Sequence, residues 1–294
     1  MGVVVIGEIC RDLVLQVTEH PGPDASAAVL ERREMLGGKG ANQAVGLAQL
    51  GETVELIGVA GEDEVGAECL EQLAADGVGI RGVARRGSTA LMVTTVDGSD
   101  DRRLFEQRPA TALVTEADVV DALAGVSATD TVSIQLQQPA APALAAVRAA
   151  KRVGATVVAD GVVEGRSRDE LLPGVDVLRA DGEEAAILGG EPIEEVEKAA
   201  ALGRQLVAEG PGLVVLAVPG VGDLLVWSQG DHLLPLADVS VVDRTGAGDA
   251  FVAGLVRGMR RGGGAVDIGR LATAAAAATV QRLGGRPDLT GLCS

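Results

Sequence analysis

Aromatic side chains are almost missing from this sequence. Its 294 residues include one Trp, two Phe and no Tyr. A groove that stacks unpaired bases depends on such rings, so their scarcity counts against that kind of nucleic-acid binding. The core must rest on Val, Leu, Ile and Ala, which suits buried parallel strands covered by Ala-rich helices. Positive charge is also scarce: 25 Lys and Arg stand against 42 Asp and Glu, a formal net charge of −17. A chain so acidic repels nucleic acid and anionic lipid surfaces. A polyanionic substrate can bind it only at a locally positive site.

Cysteine and histidine are few. Cys10, Cys69 and Cys293 are scattered and odd in number, with no spacing of a disulfide framework or a zinc site, so a reduced, cytoplasmic setting is expected. His20 and His232 are the two histidines. No serine triad, metalloprotease or zinc pattern can be assembled from them, and both are expected at the surface. No apolar run reaches membrane length. The apolar start, Met1 to Ile6, ends at Gly7-Glu8. It is too short for a signal peptide and lacks the basic segment of one.

Short apolar runs alternate with Ala-rich segments. Val3–Ile6, Val54–Val59, Thr131–Leu136, Thr156–Ala159, Val175–Leu178 and Leu213–Val218 are predicted as buried strands. Ala41–Leu50, Glu68–Ala75, Ala140–Arg152 and Ile193–Glu209 are predicted as helices, the last supported by Glu194 and Lys198 four apart. The alternation argues for a parallel sheet with helices on both faces. Two stretches, about 13–35 and 88–106, break the rhythm and read as strands without helices. Leu91–Val96, the turn Asp97-Gly98-Ser99-Asp100, and Arg102–Phe105 read as a hairpin. The two stretches are predicted to pair into a small flanking sheet; the alternative is two unrelated surface hairpins. The run Ala274–Ala278 reads as a tightly packed helix.

The segment Asp243-Arg244-Thr245-Gly246-Ala247-Gly248-Asp249-Ala250-Phe251 carries the sharpest chemistry. It is predicted to follow a strand, Val239–Val242, and to open a helix over Ala250–Arg260. Small residues at 246 to 248 let backbone approach a ligand closely. N–H groups at a helix N-terminus suit phosphate oxygens. A carboxylate beside a phosphate site needs a task, and removing a proton from an attacking hydroxyl is one. The helix dipole is expected to keep Asp249 ionised and therefore weakly basic, which phosphoryl transfer tolerates. Read alone, the segment also fits an ordinary glycine turn with a first-turn acid. Gly37-Gly38-Lys39-Gly40-Ala41-Asn42-Gln43-Ala44 is a second glycine-rich helix start, with Lys39 and Asn42 suited to neutral hydroxyls or simply exposed. Asp12, after the first strand, stands where open parallel sheets bind ligands and can accept two hydroxyl hydrogen bonds, or it is a solvated loop acid. No Walker A sequence occurs, and Phe251 stands where a dinucleotide fingerprint needs its third glycine.

Together these segments resemble the ribokinase (PfkB) family of carbohydrate kinases. Gly37–Ala44 is similar to the first family signature and Asp243–Phe251 to the second, D-[TS]-x-[GA]-A-G-D-x-F, except at Arg244. The likeness runs essentially end to end. It implies one α/β domain over residues 1–294, a ribokinase-like three-layer α/β/α sandwich with a mostly parallel central sheet. A small β-sheet lid formed by about 13–35 and 88–106 would exclude water. By position it implies Asp249 as the catalytic base and Gly246, Ala247 and Gly248 as the anion hole. Asp12, Gly38, Lys39, Asn42 and Gln137 would meet the sugar, and Asp181, Gly220, Gly222 and Thr245 the ATP. Glu184 would organise Mg2+ through water. Asp243 and Asp288 would offer oxygens to a monovalent cation such as K+.

Four departures qualify the likeness. Asp181 replaces the usual Asn, and Arg244 a small residue beside the anion hole. Gln137 stands where ribokinases carry a Glu, and Arg108-Pro109-Ala110-Thr111 replaces a P-G-A-N-like stretch. The first two leave kinase chemistry intact; the last two put ribose itself in doubt and favour a substituted or oxidised relative. The expected function is an ATP-dependent kinase acting on a primary hydroxyl of ribose or a related sugar. The alternatives are a nucleoside or sugar-acid kinase, or a weakly active sugar- or nucleotide-binding sensor. The expected partners are small molecules, not nucleic acid or membrane, with a homodimer formed through the lid.

Overall fold

The structure is a computed structural model that describes residues 2–97 and 102–293. Among them the strands are β1 (Val3–Ile6), β2 (Cys10–Val17), β3 (Val29–Gly37), β4 (Val54–Ala60), β5 (Gly79–Arg85), β6 (Ala90–Val96), β7 (Arg102–Gln107), β8 (Thr131–Gln135), β9 (Thr156–Asp160), β10 (Val177–Ala180), β11 (Leu213–Val218), β12 (Gly222–Trp227) and β13 (Gly230–Pro235). The helices are α1 (Lys39–Gln49), α2 (Glu64–Ala75), α3 (Glu116–Ala122), α4 (Ala140–Val153), α5 (Gly165–Leu171), α6 (Gly182–Gly189), α7 (Val196–Glu209), α8 (Ala247–Arg260) and α9 (Ala265–Thr279).

Nine strands make one sheet in the order β13-β12-β11-β10-β9-β8-β1-β4-β5. It is parallel from β5 to β11 and turns antiparallel at β12 and β13. The strands read as continuous aliphatic runs because both faces are covered. One core holds Ile6, Ile134 and Leu178 under α4 and α7, and the other holds Val5, Leu56 and Val215 under α1 and α8. From β1 the chain steps to β4 on one side and later to β8 on the other. Loops leaving the carboxyl ends at such a reversal part and leave a crevice.

A second sheet, β3-β2-β6-β7, is the pairing predicted for the two irregular stretches. β2 runs parallel to β6, from Cys10 opposite Ala90 to Gln16 opposite Val96. The hairpin β6–β7 is present, while residues 98–100 of its predicted turn, 97–100, lie outside the described residues.

Several local readings are corrected. Val239–Val242 is not a strand. Val241 and Val242 are exposed, and the Val242 N–H bonds the Val280 carbonyl at 2.8 Å rather than a neighbouring strand. Gly230 and Asp231 pair with Trp227 and Val226, so His232 lies within β13 rather than in a loop. Strand Val175–Leu178 is shifted to Val177–Ala180. The helix predicted from Glu68 starts at Glu64, where Asp63 caps it by accepting from Gly66 N–H. The helix predicted from Ile193 starts only at Val196, so Glu194 precedes it and Lys198 instead lies 3.7 Å from Glu191. His20 is not a surface residue. Its side chain is 5% exposed, with Nε2 2.8 Å from Thr95 Oγ1 and Nδ1 3.3 Å from Asp97.

Candidate active site

The carboxyl ends of β1, β8, β9 and β10 deliver Glu8, Gln137, Asp160, Arg179 and Asp181 to one side of the sheet. There the N-termini of α1 and α8 meet, and β6 and β7 of the small sheet stand over them. The space enclosed is a cavity of about 650 Å³, ample for a small molecule bearing phosphates. Asp12, Gly38, Lys39, Asn42, Gln137, Asp181, Thr245, Gly246, Gly248 and Asp249 all line it, so the two glycine-rich segments and Asp12 of β2 border one volume.

Gly38 begins α1 at φ 94°, and a methyl there would lie 2.6 Å from the Glu8 carbonyl oxygen. This close approach fixes Asn42 on the first turn facing α8. Asn42 Nδ2 donates to Asp249 Oδ2 at 2.9 Å. Gly246 begins α8 at φ 75°, and no side chain caps the helix. Its first amides are therefore open, with one exception: Ala247 N–H turns to the Arg244 carbonyl at 3.3 Å. The N–H groups of Gly246, Gly248 and Asp249 have no acceptor among the described residues. They face the cavity as a concave set of donors suited to anionic oxygens.

Asp249 is 6% exposed. Burial raises its pKa to about 7, against the lowering effect of Lys39 and the Asn42 hydrogen bond. The expectation of a weakly basic, dipole-stabilised carboxylate is thus overturned: desolvation outweighs the helix dipole, and the group is poised near neutrality. Asp12, on β2, is also buried, and burial raises it to about 6 although Cys10 Sγ donates to it at 3.2 Å. Lys39 does not stand among neutral groups alone. Burial works against its charge, but Asp160, Glu184 and Asp249 raise its pKa overall. Its Nζ lies 3.7 Å from Glu184.

Asp181 and Glu184 form a capping box on α6, with Glu184 N–H on Asp181 Oδ1 and Asp181 N–H on Glu184 Oε2, both at 2.9 Å. An Asp caps as well as the Asn it replaces, so this departure leaves the local backbone intact. The other oxygen of Glu184 faces Lys39 and Gln137, whose Nε2 lies 3.4 Å away. Gln137 is further tied to Gln135. Arg244 lines the cavity with no ion-pair partner among the described residues.

Other assignments land differently. Gly220 and Gly222 do not line this cavity. Gly222 has a reason within the sheet, since a methyl there would meet the Leu234 carbonyl oxygen at 2.0 Å. Asp243 is 3% exposed, and both its oxygens are engaged: Oδ1 by Thr245 N–H and Oγ–H, Oδ2 by Gly284 N–H at 2.9 Å. Asp288 pairs with Arg282 and Thr290. Three residues escaped the sequence reading. Glu8, 3% exposed, is bonded by Arg108 Nε at 2.6 Å, so the unusual Arg108 has a built partner. Asp160 and Arg179 pair at 3.0 Å. Their signal was there to be read: one opposite charge at the end of each of two adjacent aliphatic strands.

Comparison with known proteins agrees with this geometry. The model for the pfkB family carbohydrate kinases matches residues 2–290. The chain is similar to the ATP-dependent ribose-1-phosphate kinase of Halopiger xanaduensis, 30% identical over 97% of this chain and 93% of that relative. It is similar as well to the bifunctional ribokinase/ribose-5-phosphate isomerase A of Fructilactobacillus sanfranciscensis, 28% identical over 86% of this chain, and spans 47% of that relative's length. Arabidopsis thaliana ribokinase complexed with ribose and ATP has the same fold, with a TM-score of 0.80 at 24% identity, covering 99% of this chain and 97% of that one.

Proposed function

Because the chain belongs to the pfkB family of carbohydrate kinases, we propose that it transfers the γ-phosphoryl group of ATP to a primary hydroxyl of ribose or a related sugar. The observation that carries the reading is the juxtaposition of a buried carboxylate, Asp249, with open amides on the same helical turn. Asp249 takes the hydroxyl proton while the hydroxyl oxygen bonds to the γ-phosphorus. The bond from phosphorus to the bridging oxygen breaks, and ADP leaves with that electron pair. The Gly246 and Gly248 amides hold the charge on the transferring oxygens. Asp12 and the first turn of α1 grip sugar hydroxyls, and Asp181 and Thr245 lie on the nucleotide side. The small sheet acts as a lid that keeps water from the γ-phosphorus. Its edge strands expose Val29, Leu30, Leu104 and Phe105, which supports a homodimer through the lid, directly measurable by sedimentation. Three unpaired thiols support a cytoplasmic enzyme.

No group of three His, Cys, Asp or Glu among the described residues gathers at one point. That suits Mg2+, which in nucleotide sites keeps its waters and binds substrate phosphates with one or two carboxylates. Glu184, with one oxygen left toward Lys39, fits a water-mediated role, and the ion would neutralise phosphate charge. Glu184→Gln keeps the cap on α6 but removes the charge. It is expected to raise the Mg2+ concentration for half-maximal rate by about tenfold with little change in sugar KM, the range of outer-shell variants. Equal shifts in both would count against the role. K+ activation is expected to be weak, since Asp243 has already committed its oxygens.

The deciding experiment is ADP release measured against ribose, other pentoses and hexoses, sugar acids, sugar phosphates and nucleosides. Acceptor-dependent ADP formation is expected. Release without any acceptor dependence would support the weakly active sensor instead. A second acceptor class has its own support. Arg244 has no ion-pair partner among the described residues, and Arg102 lines the cavity close enough to lower the Asp12 pKa. These charges suit an acidic or phosphorylated sugar, and the Halopiger xanaduensis relative is a ribose-1-phosphate kinase. On this reading such an acceptor equals or exceeds plain ribose in kcat/KM, and strong selectivity for ribose would overturn it.

A further inference from the structure

Arg179 stands in β10 between Leu178 and Ala180, in register with Asp160 of β9. The two side chains are 9% and 1% exposed. Nη1 of Arg179 donates to Asp160 Oδ1 at 3.0 Å. Asp160 is itself held, for its Oδ2 accepts from Gln43 Nε2 at 2.9 Å, and Gln43 Oε1 accepts from Ser133 at 3.3 Å. Gln43 belongs to the first glycine-rich segment, so α1, β8, β9 and β10 together fix one guanidinium.

The remaining donors of that guanidinium are idle. Nε is buried with no acceptor among the described residues, and the one hydrogen bond the side chain makes to them is through Nη1. A charge pair serving packing alone is a poor investment, since apolar groups of like volume often replace one without loss of stability. The position of the idle edge is informative. A methyl on Gly248 would lie 3.0 Å from Nη2, and Arg179 lines the same cavity as Gly248 and Asp249. Unused N–H donors and open helix amides thus border one volume. A guanidinium stays charged at any working pH and presents a planar fork that matches phosphate oxygens.

We propose that Arg179 is a catalytic residue of the phosphoryl transfer, its free Nη2 binding the transferring group beside the Gly248 amide, with Asp160, braced by Gln43, as its positioning residue. The identity of the anion rests on the kinase reading above; the anion site itself rests on the geometry of this pair. In phosphoryl transfer the charge spreads over the equatorial oxygens, and donors aimed at them act most strongly at the transition state.

Arg179→Gln is expected to lower kcat about 100-fold, the loss typical of one such donor, while the sugar KM stays within about threefold, as for an interaction made only in the transition state. Arg179→Lys keeps the charge without the fork and recovers part of the loss. The double variant Asp160→Asn/Arg179→Met removes both charges of the pair and keeps a carbonyl for Gln43, although Asp223 loses the Arg179 charge that offsets its burial. It should fold like the native chain, yet be as slow as Arg179→Gln. Calorimetric binding of ADP with Mg2+ and aluminium fluoride, a planar phosphoryl mimic, gives a readout independent of any acceptor. The native chain should prefer it to ADP alone, and Arg179→Gln should erase that preference without weakening ADP. A folded double variant that retains both kcat and the preference overturns the proposal. Should the Arg179 variants be insoluble, Asp160→Asn decides: an unchanged rate removes Asp160 as the positioning residue and the proposal with it. A native chain that phosphorylates no acceptor refutes the kinase reading, and the binding comparison still judges Arg179.

Discussion

Asp249→Asn should lose about two to four orders of magnitude in kcat, the reach of a positioned general base, and should at the same time melt higher than the native chain at pH 8. Both effects come from burial. The native carboxyl has a pKa near 7, against 3.8 for the unfolded chain. Between those values the folded state holds the extra proton, so the stability contributed by this group is fully present below pH 3.8 and is lost as pH rises through 7. Asparagine carries no charge to desolvate, and its oxygen still accepts from Asn42. The difference in melting temperature should therefore be largest above pH 7 and shrink on acidification. Activity moves oppositely, because the base works only when ionised: native kcat/KM should fall tenfold per unit below about pH 7. The residual activity of the variant should lack the limb near pH 7 and keep only one near pH 6, from Asp12 on the sugar. Calorimetric melts without ligand and rate profiles from pH 5 to 9 check both. A native rate flat down to pH 5 would show that Asp249 is ionised throughout, with Lys39 and Asn42 outweighing burial.

Gly246→Ala is the second large effect. At φ 75° an L-residue pays about 1–2 kcal/mol for left-handed backbone. Its methyl would also lie 2.1 Å from the Gly285 carbonyl oxygen, and forcing atoms into a filled space costs about 1–3 kcal/mol more. The loop has little room to yield, because Asp243 ties it to Gly284 and Thr245 together. What moves is the start of α8, taking the open amides and Asp249 with it. The expected outcome is a loss of roughly 3 kcal/mol in denaturant unfolding and a fall in kcat of at least about 100-fold. Gly248→Ala meets Arg179 instead and should be milder in stability. A Gly246→Ala protein of native stability and rate would show that the loop relaxes freely.

The sequence made these two segments legible because small residues have few uses beside a helix start. It made the central sheet legible because strands buried on both faces must be aliphatic throughout. Val239–Val242 misled for the same reason. β-branched residues satisfy a strand's preferences, but a strand also needs a partner, and here the Val242 and Asp243 N–H groups turn to the Val280 carbonyl instead. The state of Asp249 was illegible because the dipole of its helix is local to the sequence, whereas the desolvating walls come from α1, β9 and β10. Asp160 and Arg179, 19 residues apart in sequence, escaped because each looked like the polar end of a strand. Only the register of β9 on β10 sets them face to face. The capping box of Asp181 and Glu184 went unread as well, although their spacing of three carries it.

The small sheet has one further implication, for the order in which the chain is made. Its inner pair joins Cys10–Gln16 to Ala90–Val96, with β3, α1, β4, α2 and β5 lying between them in sequence. During synthesis the hairpin β2–β3 leaves the ribosome long before β6 exists. Until residue 96 has emerged, one flank of β2 has its N–H and C=O groups without the neighbour it will later hold, and a bare strand edge invites other strands. Meanwhile β1, β4 and α1 can already pack together. The small sheet is therefore complete by residue 107, before β8, β9, β10 and α8 have been made, so the cover exists before most of the floor that carries Gln137, Arg179 and Asp249.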